Sequence, residues 1–220
     1  MPVPWILLQL SDSALPTGGF VHSGGLESAF QQGEISAPAD LRRFIRDALW
    51  LSGHSSLPLA SAAHEDPASL ARLDARAEAF LSSEVANRAS RLQGRALLDA
   101  SARIFPAEVG PLRERAREAR LRCHFAPVFG AVLRGLDVAL EEAQQLLLSL
   151  AARGVLQAAV RLGAAGTHEA QRLLRDLSPA MDEVLARCAH LRETNLAQTA
   201  PLADLFGAMH DRVYSRLFQS

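Results

Sequence analysis

Leu41, Phe44, Ile45, Ala48 and Leu49 recur at i, i+3, i+4, i+7 and i+8. That spacing stacks five apolar side chains on one face of an α-helix. Arg42, Arg43, Arg46 and Asp47 fall on the other faces, which makes this the clearest amphipathic helix of the chain. Ser36 is expected to cap it, with Pro38 in its first turn. The same reading predicts helices over 4–11, from Ser23 or Gly24 to Gly33, and over 57–65, 68–81 and 83–104. Residues 111–122 (PLRERAREARLR) read as a solvated helix opened by Pro111 and supported by i, i+4 Glu–Arg pairs. Residues 124–137 are apolar, with Gly130, Ala131 and Gly135 permitting close helix contact. Residues 139–163 are apolar nearly all round, as befits the centre of a bundle. Thr167 is expected to cap a helix over 167–175 and Ser178-Pro179 to start one over 179–192, while Pro201 opens a last helix. No segment alternates as a strand would. The predicted class is all-α: one irregular bundle of about ten helices, with residues 1–220 as a single domain.

Composition supports this reading. Ala, Leu, Arg, Glu and Gln dominate, whereas four Ile, four Thr and one Tyr are few for a sheet protein. The net charge of −1 gives no global field to hold nucleic acid. There is no lysine, so Schiff-base chemistry and a phosphate-loop lysine are excluded. G-x-G-x-x-G, G-x-S-x-G, H-E-x-x-H and CxxC patterns are also missing. No run reaches the roughly 18 apolar residues of a membrane span, and the apolar start carries no basic residue before Arg42. With only two cysteines, a cytoplasmic protein with reduced thiols is expected.

Seven histidines and two cysteines raise a metal-carrier alternative. Cys123-His124, Cys188/His190, His64-Glu65 and His168-Glu169 lack the i, i+3 or i, i+4 spacing of a helical clamp. No metal site, cofactor or catalytic residue is therefore assigned. An acid–base pair of His22 and Glu27 is a further, weaker reading.

Two segments carry more than a fold requires. The loop of about 12–27 packs Gly18, Gly19, Gly24 and Gly25 around Phe20 and His22, and glycine in such density destabilises a chain unless the backbone needs it. The tail of about 209–220, if helical, aligns His210, Val213, Tyr214, Leu217 and Phe218 as an apolar ridge at a chain end. A ridge there suits a partner as well as it suits the bundle.

These segments also carry a family resemblance. LLQLSDSALPTGGFVHSGGLESAF, residues 7–30, is similar to the N-terminal signature of the urease accessory protein family UreF, and PLADLFGAMHDRVYSRLFQS, residues 201–220, to its C-terminal signature. HFAPVFGAVLRGLDV, residues 124–138, and the Ala/Leu/Gln-rich helix before Leu162-Gly163 follow in the family's order. Asp211-Arg212-Val213 departs from the Glu-Thr often found there. The resemblance implies an all-α, non-enzymatic protein that pairs as a homodimer. It implies a bridge between a UreD-like protein (also called UreH) and the GTPase UreG on apo-urease, modulating GTP-dependent nickel insertion. Nickel carriage by the chain itself is the alternative function. By the same resemblance, Tyr214, Ser215, Arg216, Leu217 and Phe218 engage the UreD-like partner. Pro16, Gly18, Gly19, Phe20, Ser23, Gly25, Leu26 and Glu27 belong to the same surface or its support.

Overall fold

The computed structural model describes residues 5–16, 22–209 and 217–218. In chain order the helices are α1 (Trp5–Ser11), α2 (Leu26–Gln31), α3 (Pro38–His54), α4 (Ser56–Glu65), α5 (Leu70–Phe80) and α6 (Glu84–Ile104). They continue with α7 (Pro106–Glu118), α8 (Phe125–Gly135), α9 (Leu140–Arg161), α10 (Thr167–Asp176), α11 (Ser178–Cys188) and α12 (Pro201–Met209). Short 3-10 turns cover Pro67–Ser69 and Glu193–Asn195, and the described residues form no strand. The all-α expectation holds, with somewhat more helices than the ten expected.

Two helices organise the rest. α9 is covered by α3, α4, α10 and α11, the central position its apolar sequence requires. α8 is buried from Ala126 to Leu133 and packs most extensively on α4, with α6 on another side. Gly130 sets that contact: a Cβ there would lie 1.9 Å from the Ala60 carbonyl oxygen. Leu41, Phe44, Ile45 and Leu49 of α3 are buried as predicted, with Arg42, Arg43, Arg46 and Asp47 exposed. Most of the buried apolar residues form one continuous cluster that runs from Leu10 to Phe218.

Helix starts depart from the sequence reading. Ala37, not Ser36, is the N-cap of α3, and Asp40 accepts hydrogen bonds from the Ser36 and Ala37 N–H groups at 3.2 and 3.0 Å. Those donors hold the Asp40 carboxyl below the usual carboxylate range. Gly166, not Thr167, caps α10, where Glu169 reaches back to its N–H. α7 begins at Pro106, five residues before Pro111, which falls inside the helix. Val109, Leu112 and Ala116 continue a buried stripe that the start at Pro111 had cut short.

A bidentate ion pair ties the end of α4 to the segment after α11. Arg192 donates to both Glu65 oxygens, at 2.7 and 2.5 Å, and these bonds hold the Glu65 carboxyl below the usual glutamate range. A depressed folded pKa contributes stability that is complete above the unfolded value of about 4.3 and lost as pH falls through the folded value. Thermal melts from pH 7 to pH 3 are expected to show a steeper acid loss for the parent chain than for Arg192→Ala. Parallel curves would show that the pair contributes nothing.

Candidate interaction surface

Gly24 and Gly25 both adopt positive φ, at 62° and 87°, and turn the chain into α2. This left-handed pair is what the glycine-rich loop supplies, since other residues resist that conformation. The turn places Glu27 in the first turn of α2, where it is 1% exposed. Its two carboxylate oxygens accept the backbone N–H of Leu217 at 2.6 Å and of Phe218 at 3.3 Å. From the last turn of α9, Arg161 donates to the Leu217 carbonyl at 3.4 Å and lies 4.1 Å from the centroid of the Phe218 ring. Residues 217 and 218 are thus gripped from the N–H side by a carboxylate and from the C=O side by a guanidinium, both charge-assisted. Two turns earlier on α9, Arg153 donates to the Ser11 carbonyl. α9 therefore bonds the backbone at both Ser11 and Leu217.

Leu217 and Phe218 part company. Phe218 is 5% exposed and joins the core, whereas Leu217 is 53% exposed. Here the chain bends and is not helical, so the two do not form the continuous ridge of a helix. Pro16 is exposed, while Ser23, Gly25 and Leu26 are buried beneath the surface. Gly18, Gly19, Phe20, Tyr214, Ser215 and Arg216 lie outside the described residues, as do His210 and Val213. Trp5 and Leu8 on α1 and Leu202 and Leu205 on α12 add exposed apolar side chains, on helices that pack against α9 and α2 respectively.

The sequence profile of the UreF family matches residues 35–178. Urease accessory protein F of Oryza sativa subsp. indica is 34% identical over 97% of this chain and 84% of its own length. Its counterpart in Arabidopsis thaliana is 34% identical over 98% and 92%. Urease accessory protein UreF of Mycobacterium tuberculosis (strain ATCC 25618 / H37Rv) is 31% identical over 98% of each. The chain belongs to the UreF family. The profile covers the middle of this UreF chain, while the relatives' alignments reach across nearly the whole of it.

Chemistry elsewhere in this UreF-family fold is arranged to hold the backbone. His124 is fully buried at the entry to α8, with Nε2 2.7 Å from a Glu78 oxygen and Nδ1 3.1 Å from the Ser90 hydroxyl. Ser90 Oγ also accepts the Phe125 N–H at 3.1 Å, and Asp74 accepts the N–H groups of Arg122 and His124 at 2.7 Å each. The His124 contact holds the Glu78 carboxyl below the usual range. A serine, a histidine and a glutamate in line resemble a nucleophilic triad. Here, though, the imidazole is closed off and the hydroxyl already receives a backbone donor, so the cluster serves to pin residues 122–125. Sequence reading missed it because Asp74, Glu78, Ser90 and His124 come from three separate segments. Cys123-His124 ahead of an apolar helix was its only trace.

Among the described residues, no three His, Cys, Asp or Glu side chains stand close enough to hold a metal ion together. Burial pushes the Cys123 thiol up to about 11 and the Cys188 thiol up as well, which keeps both protonated near neutral pH. Cys188 Sγ lies 3.8 Å from His54 Nδ1. His22 is buried, and the Glu27 oxygens are engaged by the tail backbone. Among the described residues, no helix is long and apolar enough to cross a membrane.

Proposed function

We propose that this chain is a single-domain urease assembly subunit that works by contact and not by catalysis. It bridges a UreD/UreH-like protein and the GTPase UreG on apo-urease, as a homodimer in the cytoplasm, and modulates GTP-dependent nickel insertion. The relatives' names, urease accessory protein, support the role in urease assembly. The observation that carries the surface assignment is the Glu27 carboxylate bound to the N–H groups of Leu217 and Phe218. It makes one place of two segments that lie at opposite ends of the sequence. Leu217 offers an exposed contact there, supported from within by Ser23, Gly25, Leu26, Glu27 and Phe218, and exposed Pro16 belongs to the same surface in this reading. Gly18, Gly19, Phe20, Tyr214, Ser215 and Arg216 complete the surface in this reading.

Leu217→Asp tests it. Leu217 is half exposed, so the substitution is expected to move the melting temperature by less than about 2 °C. Affinity for the UreD-like protein, measured by titration calorimetry, is expected to fall by about thirtyfold, the effect of a hot-spot residue worth about 2 kcal/mol. Unchanged affinity in a well-folded variant would remove the tail from the interface.

A further inference from the structure

Backbone bonds alone do not decide which residue of the tail turns inward. The Glu27 carboxylate accepts two N–H groups, from Leu217 and Phe218, and an N–H group is the same donor on either residue. A slide of the tail by one position would keep two donors on the carboxylate and bury Leu217 in place of Phe218. Hydrophobic burial does not forbid that slide, because leucine and phenylalanine gain comparably on leaving water. Yet Phe218 is 5% exposed and Leu217 53%. The register is held by a contact that tells the two side chains apart.

Arg161 makes that contact. Its guanidinium carbon lies 4.1 Å from the centroid of the Phe218 ring, within the range of a cation over an aromatic face. Leucine has no such face to offer. The same guanidinium donates to the Leu217 carbonyl at 3.4 Å, so one side chain touches both members of the pair. Its base is firm. Arg161 is the last residue of α9, and directly behind it Gly163, at φ 73°, and the Ala164 N–H bonded to the Ala159 carbonyl at 2.9 Å close the helix. A cation at that end also complements the helix dipole.

We propose that Arg161 is a positioning residue that sets the register of the tail, turning Phe218 inward so that Leu217 faces the UreD-like partner. The proposal rests on the assembly role above and adds to it a residue outside both terminal segments. A guanidinium suits the task because its plane can lie on a ring while its N–H edge donates, whereas an ammonium is a point charge. Presenting Leu217 before the partner arrives removes ordering that association would otherwise have to supply.

The test is a double-mutant cycle on the full chain, read as affinity for the purified UreD-like protein. Arg161→Gln is expected to weaken binding by about five- to tenfold in the parent chain. In a Leu217→Ala background the same substitution is expected to cost less than about twofold, since no large side chain is left to orient. Arg161→Lys keeps the charge without the plane and is expected to lie nearer to glutamine than to the parent. Equal losses in the two backgrounds would make Arg161 a structural residue only and overturn the inference. Unchanged affinity in Arg161→Gln, or full rescue by lysine, would overturn it too. Circular dichroism melts accompany each variant, and if Arg161→Gln fails to fold, Arg161→Lys takes its place in the cycle. Any of these outcomes leaves the assembly role standing. A parent chain that binds the UreD-like protein no better than Leu217→Asp does would overturn the proposed surface and the inference together.

Discussion

Gly130→Ala is expected to lower the melting temperature by about 6–12 °C. An alanine Cβ at this position would sit 1.9 Å from the Ala60 carbonyl oxygen, 2.8 Å from its carbon and 3.0 Å from its Cα. All three obstacles are backbone, so no side-chain rotation relieves the clash. Either α4 or α8 must move by more than an ångström, and their contact is the most extensive in the fold. Overpacking a filled core costs about 1–3 kcal/mol and occasionally more. A rigid backbone obstacle at the centre belongs at or above the upper end. The helix propensity gained by replacing glycine with alanine is about 1 kcal/mol and does not offset it. For a domain of this size each 1 kcal/mol shifts the melting temperature by about 2–4 °C. Circular dichroism melts of the two proteins decide the matter: a variant within 2 °C of the parent would mean that the helices do not approach as closely as described.

Glu27→Ala is expected to free the tail and reduce affinity for the UreD-like protein by about a hundredfold. The lost bonds link a buried carboxylate to two backbone N–H groups, each of a class worth about 1.5–3 kcal/mol. Burying Phe218 stabilises the closed tail by roughly 1.5–3 kcal/mol more, against about 1–2 kcal/mol per residue for ordering the backbone. Without the carboxylate the balance turns toward release. Glu27→Gln keeps the shape and one acceptor oxygen and is expected to fall between the two. Amide hydrogen exchange at Leu217 and Phe218 reads the clamp directly. Protection equal to that of the parent in Glu27→Ala would show that something else holds the tail.

Much of the fold was legible because period and burial agree. The stripe on α3 needed no tertiary information, and α9 announced its central place by lacking a polar face. Helix starts were less legible, since capping depends on which residue extends. Asp40 sets the cap of α3 one residue after Ser36, Glu169 sets that of α10 one residue before Thr167, and two prolines competed to open α7. The candidate surface was half legible. Both signature segments stood out by their glycines and their apolar spacing, but neither showed that Glu27 and the Leu217–Phe218 backbone meet. Such a contact leaves no periodicity. The inward turn of Phe218 was likewise hidden, because a helical ridge was the simplest geometry for an apolar chain end. The Asp74–His124 knot left no more than the Cys123-His124 pair as a trace, being assembled from groups about 50 residues apart.

The bond between Glu27 and Leu217 spans 190 positions. During translation the glutamate leaves the ribosome long before its counterpart does. Nascent chains still in progress cannot display the finished contact, however well their earlier helices have collapsed. Recruitment into a larger complex through this site would thus be reserved for chains whose synthesis has run past Phe218.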